Sequence, residues 1–452
     1  MFKNLSMKQK IEMEVKNPNA AGIDIGSKSH FVAVGQNANE IKEFGVYHSD
    51  HLAIVNYLHE FKIKTIAMES TGSYWQGLFV LLIENNFNVL LVPGSQTKGF
   101  RKTDVKDARQ LQQLHSLGLL SSCFLPDNFT YRVRELSRHR KSMVSDAAKY
   151  SNRMQKCLRM MNLRLDVVIS DITGVSGMKI IKAILSGERD GKNLASLADS
   201  RIKNTKETVE DALNGNFHEE LLYELKDNLE LYETLREKIN VLDVQITKLL
   251  NETPEVKNTK INIDEVELKK KHIRGKKQTK IPIQKLSYLL YGTDLSAING
   301  VGLNTILTIV SELGTSTDKF HDSKAFVSWL RLAPNNKISG SKVLSSRTPK
   351  GLNPLTIALR DAANVIGNQK NGELTMFFKR IAFKSGRCAA ITATARKLGT
   401  IIFNMIKNKE PYNPKINDEI KHKMEERKMN SARTILEKRG FIIIDNQGVM
   451  VS

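Results

Sequence analysis

The stretch AAGIDIGSKSHFVAVGQNANEIKEFGV, residues 20–46, contains three short apolar or alternating runs, at 20–25, 30–35 and 41–46. Gly, Ser and Asn separate the runs and favour tight turns, so the stretch predicts a meander of three strands. Downstream, the same patterns predict two helices and two further strands. The predicted helices cover 51–61 and 74–85, and the predicted strands cover 64–68 and 88–92.

The predicted order is three strands, helix, strand, helix, strand, helix, which is the order of the ribonuclease H fold. In that fold the first strand is central and the fourth lies beside it in parallel, so Asp24 and Glu69 would stand on neighbouring strands. The helix predicted in RKTDVKDARQLQQL, residues 101–114, carries Asp104 and Asp107 three positions apart and so on one face. We expect it to pack across the same end of the sheet.

Four carboxylates at one point repel each other and suit two divalent metal ions, which serve phosphodiester chemistry by activating a nucleophile and stabilising the leaving oxygen. Oxygen ligands favour Mg²⁺ or Mn²⁺. The alternative is an ordinary solvated helix start, because acidic residues stabilise a helix N-terminus and basic residues flank both aspartates. His30, His48 and His51 are close in sequence to the first strands, but a single histidine is more often structural than a ligand.

The composition indicates a polyanionic partner. Among 452 residues, 69 are Lys or Arg and 48 are Asp or Glu, a net charge of +21, and nucleic acid is the usual partner of so basic a protein. No apolar run reaches the roughly 18 residues of a membrane-spanning helix, and the first residues lack the apolar segment of a signal peptide. We therefore expect no membrane partner and a location inside the cell. Three widely spaced cysteines without a CxxC motif predict buried free thiols.

Two long helices are predicted after the first domain. Residues 129–165 carry an apolar stripe and ten Lys or Arg against two acids, so the helix is expected to pack on one side and to contact phosphate, or only solvent, on the other. The residues predicted to bind nucleic acid there are Arg132, Arg134, Arg138, Arg140 and Lys141. Residues 219–250 repeat apolar residues in heptads and predict a coiled coil, either with 129–165 or with another subunit.

The last third contains a predicted hairpin and a serine-containing loop. Gly300 and Gly302 in INGVG precede an apolar helix and resemble a helix-hairpin-helix element, whose backbone N–H groups can hold a phosphate; an ordinary packing turn is the alternative. A loop, APNNKISGSKVLSSRTPKG at 333–351, carries Lys342 and Lys350, which are also predicted to bind nucleic acid. Helices are predicted around 325–332, 354–366 and 377–407, and the tail ends in an apolar FIIID run.

The motif GIDIGSK at 22–28 has a competing interpretation, because it also resembles the first phosphate loop of the actin-like and sugar-kinase ATPases. Such an ATPase would need a second Asp-x-Gly phosphate loop and a glycine-rich adenosine loop, and neither is found in the sequence. The basic, helical second half also fits that class poorly.

Several motifs together resemble one family, the transposases of bacterial insertion sequences that join a RuvC-like DEDD nuclease domain to a serine-containing C-terminal domain, with which Piv-type DNA invertases belong. GIDIGSKSHFVAV is similar to the strand carrying the first Asp, MESTGSYW at 68–75 to the Glu strand, and KTDVKDARQL to the paired-Asp helix. INGVG, the AP-x-x-x-x-SG loop and KG-x-x-x-L-x-x-ALRDAA resemble the C-terminal domain. The similarity covers roughly 18–165 and 293–405.

The resemblance implies a recombinase that moves an insertion sequence, with Asp24, Glu69, Asp104 and Asp107 on Mg²⁺ and a serine from the second domain. It implies a structured noncoding guide RNA that pairs with donor and target DNA, a dimer or tetramer, and a cytoplasmic, nucleoid-associated location in a bacterium. The sequence departs from the family pattern around the loop, where Arg331-Leu332-Ala333 and Gly340-Ser341 replace the usual residues. Ser339, Ser341 and Ser345 therefore compete for the nucleophile, and Ser339 is favoured because it precedes Gly340.

The predicted fold class is thus α/β followed by all-α: a ribonuclease H-like (RuvC-like) domain, long coiled-coil helices and a helical C-terminal transposase domain with a helix-hairpin-helix-like element. The predicted domains are the RuvC-like domain at 18–126, a basic coiled-coil region at 127–250, a charged linker at 251–290, the serine-containing domain at 291–410 and a charged tail at 411–452. Two alternatives stay open, a nuclease or junction resolvase that only cuts, and a degenerate copy that binds nucleic acid without chemistry.

Overall fold

The protein folds as two compact units, Met1–Leu125 and Pro126–Ser452, which are described separately. The structure is a computed structural model. It describes residues 14–36, 40–70, 72–94, 103–123, 127–199, 202, 204–269, 279–351, 353–414, 426, 429–437 and 439–440. Residues 1–13, most of the predicted tail and its FIIID run lie outside these residues.

The first unit is an α/β domain. In chain order its elements are β1 (Ala20–Ile25), β2 (His30–Ala33), β3 (Ile41–Phe44), α1 (His48–Glu60), β4 (Thr65–Glu69), α2 (Trp75–Glu84), β5 (Asn88–Val92) and α3 (Asp104–Ser116). They follow the order predicted from the sequence, and the five strands and the first two helices lie within a few residues of the predicted bounds.

The five strands form one sheet in the order β3-β2-β1-β4-β5. The pairs β1–β2 and β2–β3 are antiparallel, whereas β1–β4 and β4–β5 are parallel. The prediction of a central first strand with the fourth beside it in parallel is therefore confirmed. Ile23, Ile66, Met68, Leu78 and Leu82 are fully buried between the sheet and the helices, and each contributes about 1.5–3 kcal/mol through burial of its apolar surface.

The second unit is almost entirely helical. Its helices are α4 (Asn128–Met160), α5 (Leu165–Val168), α6 (Val175–Leu185), α7 (Gly191–Ser196), α8 (Lys206–Leu213), α9 (Glu219–Asn251), α10 (Pro254–Lys257), α11 (Ile283–Tyr291), α12 (Leu303–Leu313), α13 (Ser323–Trp329), α14 (Pro354–Gly367), α15 (Glu373–Ser385) and α16 (Arg387–Asn408). A two-stranded hairpin, β6 (Lys337–Ser339) and β7 (Lys342–Ser345), stands between α13 and α14.

Helices α4 and α9 have 33 residues each and pack along one another. Met154 and Leu158 of α4 share a buried cluster with Leu225, Tyr232 and Ile239 of α9. The apolar stripe and the heptad positions predicted from the sequence thus meet within one chain, which is the fold-back alternative for the partner of 219–250.

Two segments differ from the sequence expectation. The 333–351 segment, predicted as a loop, contains the β6–β7 hairpin. The predicted linker at 251–290 contains α10 and all but the last residue of α11, while 270–278, with much of its positive charge, lies outside the described residues. The stretch predicted as helical at 377–407 is divided between α15 and α16, because Gly386 has φ +82° and α15 ends before it. Within the described chain, every helix is too short or too polar to span a membrane.

Candidate active site

The first two predicted carboxylates lie on adjacent parallel strands. Register between β1 and β4 pairs Gly22 with Ala67 and Ile23 with Met68. The next step along both strands sets Asp24 opposite Glu69, at the spacing of about 4.8 Å that separates neighbouring strands. Both residues are partly exposed at the carboxyl end of the parallel strands, where open α/β sheets place their sites.

Helix α3 crosses the sheet directly over β1. A Cβ atom added at Gly22 would lie 2.9 Å from Cα of Gln112 and closer still to the backbone N of Gln112 and O of Ala108. Glycine is therefore required for this approach, since any side chain at residue 22 would occupy the volume of the helix backbone. Gly22, the first glycine of GIDIG, thus admits the backbone of α3 against β1.

The contacts of α3 also give its direction. The turn of α3 between Ala108 and Gln112 lies over Gly22, and the backbone N of Asn17, just before β1, donates to the Ser116 carbonyl at the C-terminal end of α3 at 2.9 Å, so α3 runs antiparallel to β1. From the middle of that turn, Asp107 lies about 4.5 Å and Asp104 about 9 Å back along the helix at 1.5 Å per residue. The two residues from Gly22 to Asp24 span about 6.6 Å. Asp107 and Asp104 therefore lie on either side of the level of Asp24, at the same end of the sheet.

The start of α3 favours two acidic side chains. Thr103 caps the helix, and its hydroxyl accepts a hydrogen bond from the Lys106 backbone N at 3.3 Å. Asp104 and Asp107 lie in the first turn, where the positive end of the helix dipole and unpaired N–H groups reduce their mutual repulsion. Asp104 is exposed and Asp107 is half-buried.

A buried polar layer fixes α3 on the sheet, and the sequence interpretation missed it. Arg109 donates through Nη1 to the Gly35 carbonyl at 3.1 Å and to Oε1 of Gln112 at 3.2 Å, and Nε2 of Gln112 donates to Oγ of Ser116 at 2.9 Å. Arg109 is buried, and burial lowers its pKa. It is therefore not one of the solvated basic residues expected to flank the two aspartates. The polar residues that follow Ala108 were the feature of the sequence that could have indicated this layer.

A histidine in the last turn of α3 fixes the C-terminal end of the helix. His115 is buried, and its Nε2 lies 2.8 Å from Oγ1 of Thr65 at the start of β4. Burial lowers the pKa of His115. Together with the Gly22 contact, this bond ties α3 to both strands that carry Asp24 and Glu69.

The carboxylate of Glu69 occupies the space that a side chain at Gly94 would fill, just beyond β5. As placed, no three His, Cys, Asp or Glu side chains of the described residues form a group that could hold a metal ion. Residues 95–102, which lead into α3, lie outside the description. The donor set fits a hard divalent cation by its chemistry, since all four predicted ligands are carboxylates from one end of the sheet.

His30 and His51 form a pair beside β1. Their Nε2 atoms are 3.2 Å apart, and their rings stack with centroids 5.3 Å apart. Burial lowers the pKa of both residues, and for His30 the neighbouring His51 lowers the pKa further. Each ring therefore has its partner in the other, which agrees with the structural role expected for histidines here.

The favoured serine stands at the tip of the hairpin in the second unit. Ser339 ends β6 opposite Lys342, and Gly340 and Ser341 form the two-residue turn. Gly340 has φ +56°, a value that the primed turns of tight hairpins require at this position and that glycine adopts without strain. Ser339 and Ser341 are exposed, whereas Ser345 is half-buried and its Oγ accepts from the Arg347 backbone N at 3.4 Å.

Three of the residues predicted to bind nucleic acid, Arg134, Arg138 and Arg140 of α4, have acidic partners within the second unit. Arg138 donates to both carboxylate oxygens of Glu312 at 2.9 Å, and Arg134 donates to the Glu312 carbonyl at 2.7 Å. Arg140 is 6% exposed and forms a bidentate ion pair with the buried Asp243. Arg134 and Arg140 are buried, and buried charges need such partners, whereas the side chain of Arg138 is 47% exposed. The three ion pairs join α4 to α12 and α9.

The other predicted nucleic-acid contacts have different surroundings. Arg132, Lys141, Lys342 and Lys350 are exposed. Gly300 has φ +86°, and a side chain there would meet Ile366 of α14, so this glycine serves packing. Gly302 precedes α12 with open space around it and leaves the N-terminus of α12 accessible.

Two family models match this chain, and between them they include residues of both units. Residues 21–162 match the DEDD transposase family of IS110, and residues 293–378 match the transposase family IS116/IS110/IS902. Together the two matches span about half of the chain, and the first includes all four predicted carboxylates. No curated protein matches the chain.

These matches decide against the actin-like ATPase interpretation of GIDIGSK. A DEDD transposase domain depends on divalent metal ions, and the ribonuclease H-like sheet provides its scaffold. The chain is therefore a DNA transposase of the IS110 family of insertion sequences.

Proposed function

We propose that this transposase cuts and rejoins DNA with two chemical groups, the carboxylates Asp24, Glu69, Asp104 and Asp107 of the first unit and the hydroxyl of Ser339 in the second. The observation that supports the first assignment is the antiparallel course of α3 over β1, because it puts the end of α3 that carries Asp104 and Asp107 at the end of β1 that carries Asp24. Strand register supports Glu69 as the neighbour of Asp24.

The four carboxylates would hold Mg²⁺ or Mn²⁺. A bound divalent ion supplies Lewis-acid stabilisation to the phosphate and to the departing oxygen. The chain's own contribution is orientation: Gly22 admits α3, Gln112 and Arg109 fix its rotation, and the first helical turn sets the two aspartates on one face.

Ser339 would attack a DNA phosphorus atom through Oγ. The new bond is a phosphoserine ester, the broken bond joins phosphorus to a sugar oxygen, and the serine proton passes to the leaving sugar hydroxyl by way of a base. Rejoining reverses these steps with a second sugar hydroxyl, so the energy of the phosphodiester is kept. The hairpin residues 337–345 contain no His, Asp or Glu, so the base must come from the carboxylate site or solvent.

A test of both groups uses single substitutions. Asp104→Asn should abolish metal-dependent strand cleavage and leave DNA affinity nearly unchanged, because it removes a ligand oxygen charge without removing a basic contact. Ser339→Ala should abolish the covalent protein–DNA adduct, while Ser341→Ala and Ser345→Ala should retain it. Wild-type cleavage in Asp104→Asn, or an adduct in Ser339→Ala, would contradict the respective assignment.

We further propose a structured guide RNA and a homo-oligomer, as the family resemblance implies. The net charge of +21 and the exposed Arg132 and Lys141 of α4 support a nucleic-acid surface. Tight binding of structured RNA that survives raised salt, when random duplex DNA is released, would indicate recognition by shape. Equal losses for both would leave only a basic surface.

The oligomer can be tested through its chemistry. Inactive Asp104→Asn and inactive Ser339→Ala protein should regain adduct formation when mixed, if a carboxylate unit of one subunit serves the serine of another. Each variant alone is the control. Continued inactivity of the mixture would restrict the two groups to one subunit.

A further inference from the structure

A wide groove lies in the second unit between the base of the β6–β7 hairpin and helices α15 and α16. Its volume is about 1140 Å³. Arg347 and Thr348 line it from the hairpin side, and Cys388, Thr392, Arg396 and Thr400 line it from α16.

The α16 wall is a row of side chains spaced four residues apart, so they follow one face of the helix. Three of them, Cys388, Thr392 and Thr400, are small, and each threonine hydroxyl bonds the carbonyl one turn earlier at 3.2 Å. Within this row Arg396 is the long side chain, and Lys397 beside it also lines the groove. A polymer backbone can approach such a surface closely.

The charge around the groove is almost entirely positive. Residues 337–351 and 373–408 contain eleven Lys or Arg and a single acid, Glu373. Lys397 neutralises that acid through a bond of 2.7 Å from Nζ to Oε1. Among the residues that the structure describes, neither Arg347 nor Arg396 has an ion-pair partner, unlike Arg134, Arg138 and Arg140 of α4. Both guanidinium groups are exposed and can pair with phosphates.

The groove also leads toward the favoured serine. Lys337 pairs with Ser345 at the hairpin base, one residue before the groove wall begins at Ser346. Ser339 is two residues further along β6, about 7 Å at the rise of a strand. The rise along a duplex axis is about 3.4 Å per nucleotide of one strand, and a more extended strand covers the same distance with fewer nucleotides, so a strand leaving the groove along the hairpin reaches Ser339 within about two nucleotides.

We propose that this groove holds the sugar-phosphate backbone of the DNA strand that Ser339 attacks, with Arg347 and Arg396 on phosphates next to the reacting one. The assignment of the strand rests on the proposed role of Ser339. The binding site itself does not, because it follows from the groove's shape and charge.

Cys388 provides a native probe of occupancy, since it is exposed and lines the groove. The other described cysteines differ: Cys157 is buried, which raises its pKa to about 11, and Cys123 is half-buried in the first unit. In the full-length protein, a single-stranded DNA oligonucleotide should slow alkylation of Cys388 by a maleimide, read by peptide mass spectrometry. Alkylation of Cys123 should not change. Unprotected Cys388 at saturating DNA would overturn the proposal, as would protection by structured RNA alone.

A charge substitution tests the phosphate contacts. Arg396→Ala should reduce the slope of log affinity against log salt for single-stranded DNA by about 0.7, the value for one lost phosphate contact on a single strand. The matched control is Lys407→Ala, which removes one charge from the same helix outside the groove lining and should leave the slope unchanged. Equal slopes for wild type and Arg396→Ala would contradict the phosphate role.

The two proposals fail differently. If Ser339 is not the nucleophile, Ser339→Ala still forms the adduct, but Cys388 remains protected by DNA. If the groove is wrong, Cys388 is unprotected although Ser339→Ala loses the adduct.

Discussion

The contact of α3 with Gly22 can be tested by adding one methyl group. In Gly22→Ala the new Cβ would lie 2.9 Å from Cα of Gln112 and closer to two further backbone atoms, whereas ordinary contacts begin at 3.4 Å. None of these atoms belongs to a flexible side chain, so α3 must move outward by about 1 Å, at a cost in unfolding free energy of about 1–3 kcal/mol for overpacking.

The same displacement moves Asp104 and Asp107 relative to Asp24. A misplacement of about 1 Å at a reacting centre lowers a rate by about 100-fold. We therefore expect Gly22→Ala to lower the rate of metal-dependent strand cleavage by about that factor, measured on a labelled DNA substrate at saturating Mg²⁺. Urea unfolding measures the stability loss in parallel.

A matched control exists in the same unit. A Cβ at Gly77 in α2 would meet only Cε1 of His51, at an ordinary 3.8 Å. Gly77→Ala should therefore raise stability by about 0.5–1 kcal/mol, as expected for glycine in a helix interior, and leave cleavage unchanged. Wild-type cleavage and stability in Gly22→Ala would refute the close packing of α3 on β1.

Two further predictions concern charge. Glu312→Gln should lower the unfolding free energy by about 3–5 kcal/mol, because it leaves the buried guanidinium of Arg134 and its neighbour Arg138 without a carboxylate. The control Asp146→Ala breaks an exposed ion pair and should lower the unfolding free energy by under about 1 kcal/mol. Equal losses for the two variants in urea unfolding would contradict the buried network. The first unit should lose stability as pH falls from neutrality through 6.5 toward 5, because burial lowers the pKa of His51, His30 and His115 in the folded state and protonation then favours the unfolded chain. In thermal unfolding, His51→Gln should reduce that acid-dependent loss, and an unchanged pH dependence would argue against the paired histidines.

The order of strands and helices along the chain was predictable because its signals are local. The order of strands within the sheet then followed from the ribonuclease H arrangement. Turn residues separate the runs at 20–46, and strand alternation with the helix period fixes the type of each later element. The carboxylate positions followed, since parallel strands carry Asp24 and Glu69 to one edge. The role of Gly22 was not predictable in this way, because only the three-dimensional approach of α3 distinguishes a packing glycine from a phosphate-loop glycine.

The arginines of α4 could not be assigned from the sequence for a different reason. Their partners are distant in the chain: Glu312 is 174 residues from Arg138, and Asp243 is 103 residues from Arg140. A count of charges along one helix gives ten basic residues but does not include the acidic residues that other helices contribute. The hairpin, in contrast, had a local signal, because Gly340-Ser341 between alternating residues fits a two-residue turn.

The distribution of paired charge bears on where the second unit meets nucleic acid. Forming a phosphate contact with Arg134 or Arg140 would require breaking a buried ion pair, and the acid left behind would remain uncompensated at a cost of several kcal/mol. An exposed guanidinium without an acidic partner, such as Arg396, carries no such cost, and its counterions are released on binding. Affinity is therefore expected to come from α16 and the serine hairpin, and from exposed basic residues of α4 such as Arg132, Lys141, Arg153 and Lys156. Because Ser339 belongs to that same hairpin, a surface expected to attract DNA also presents the proposed nucleophile.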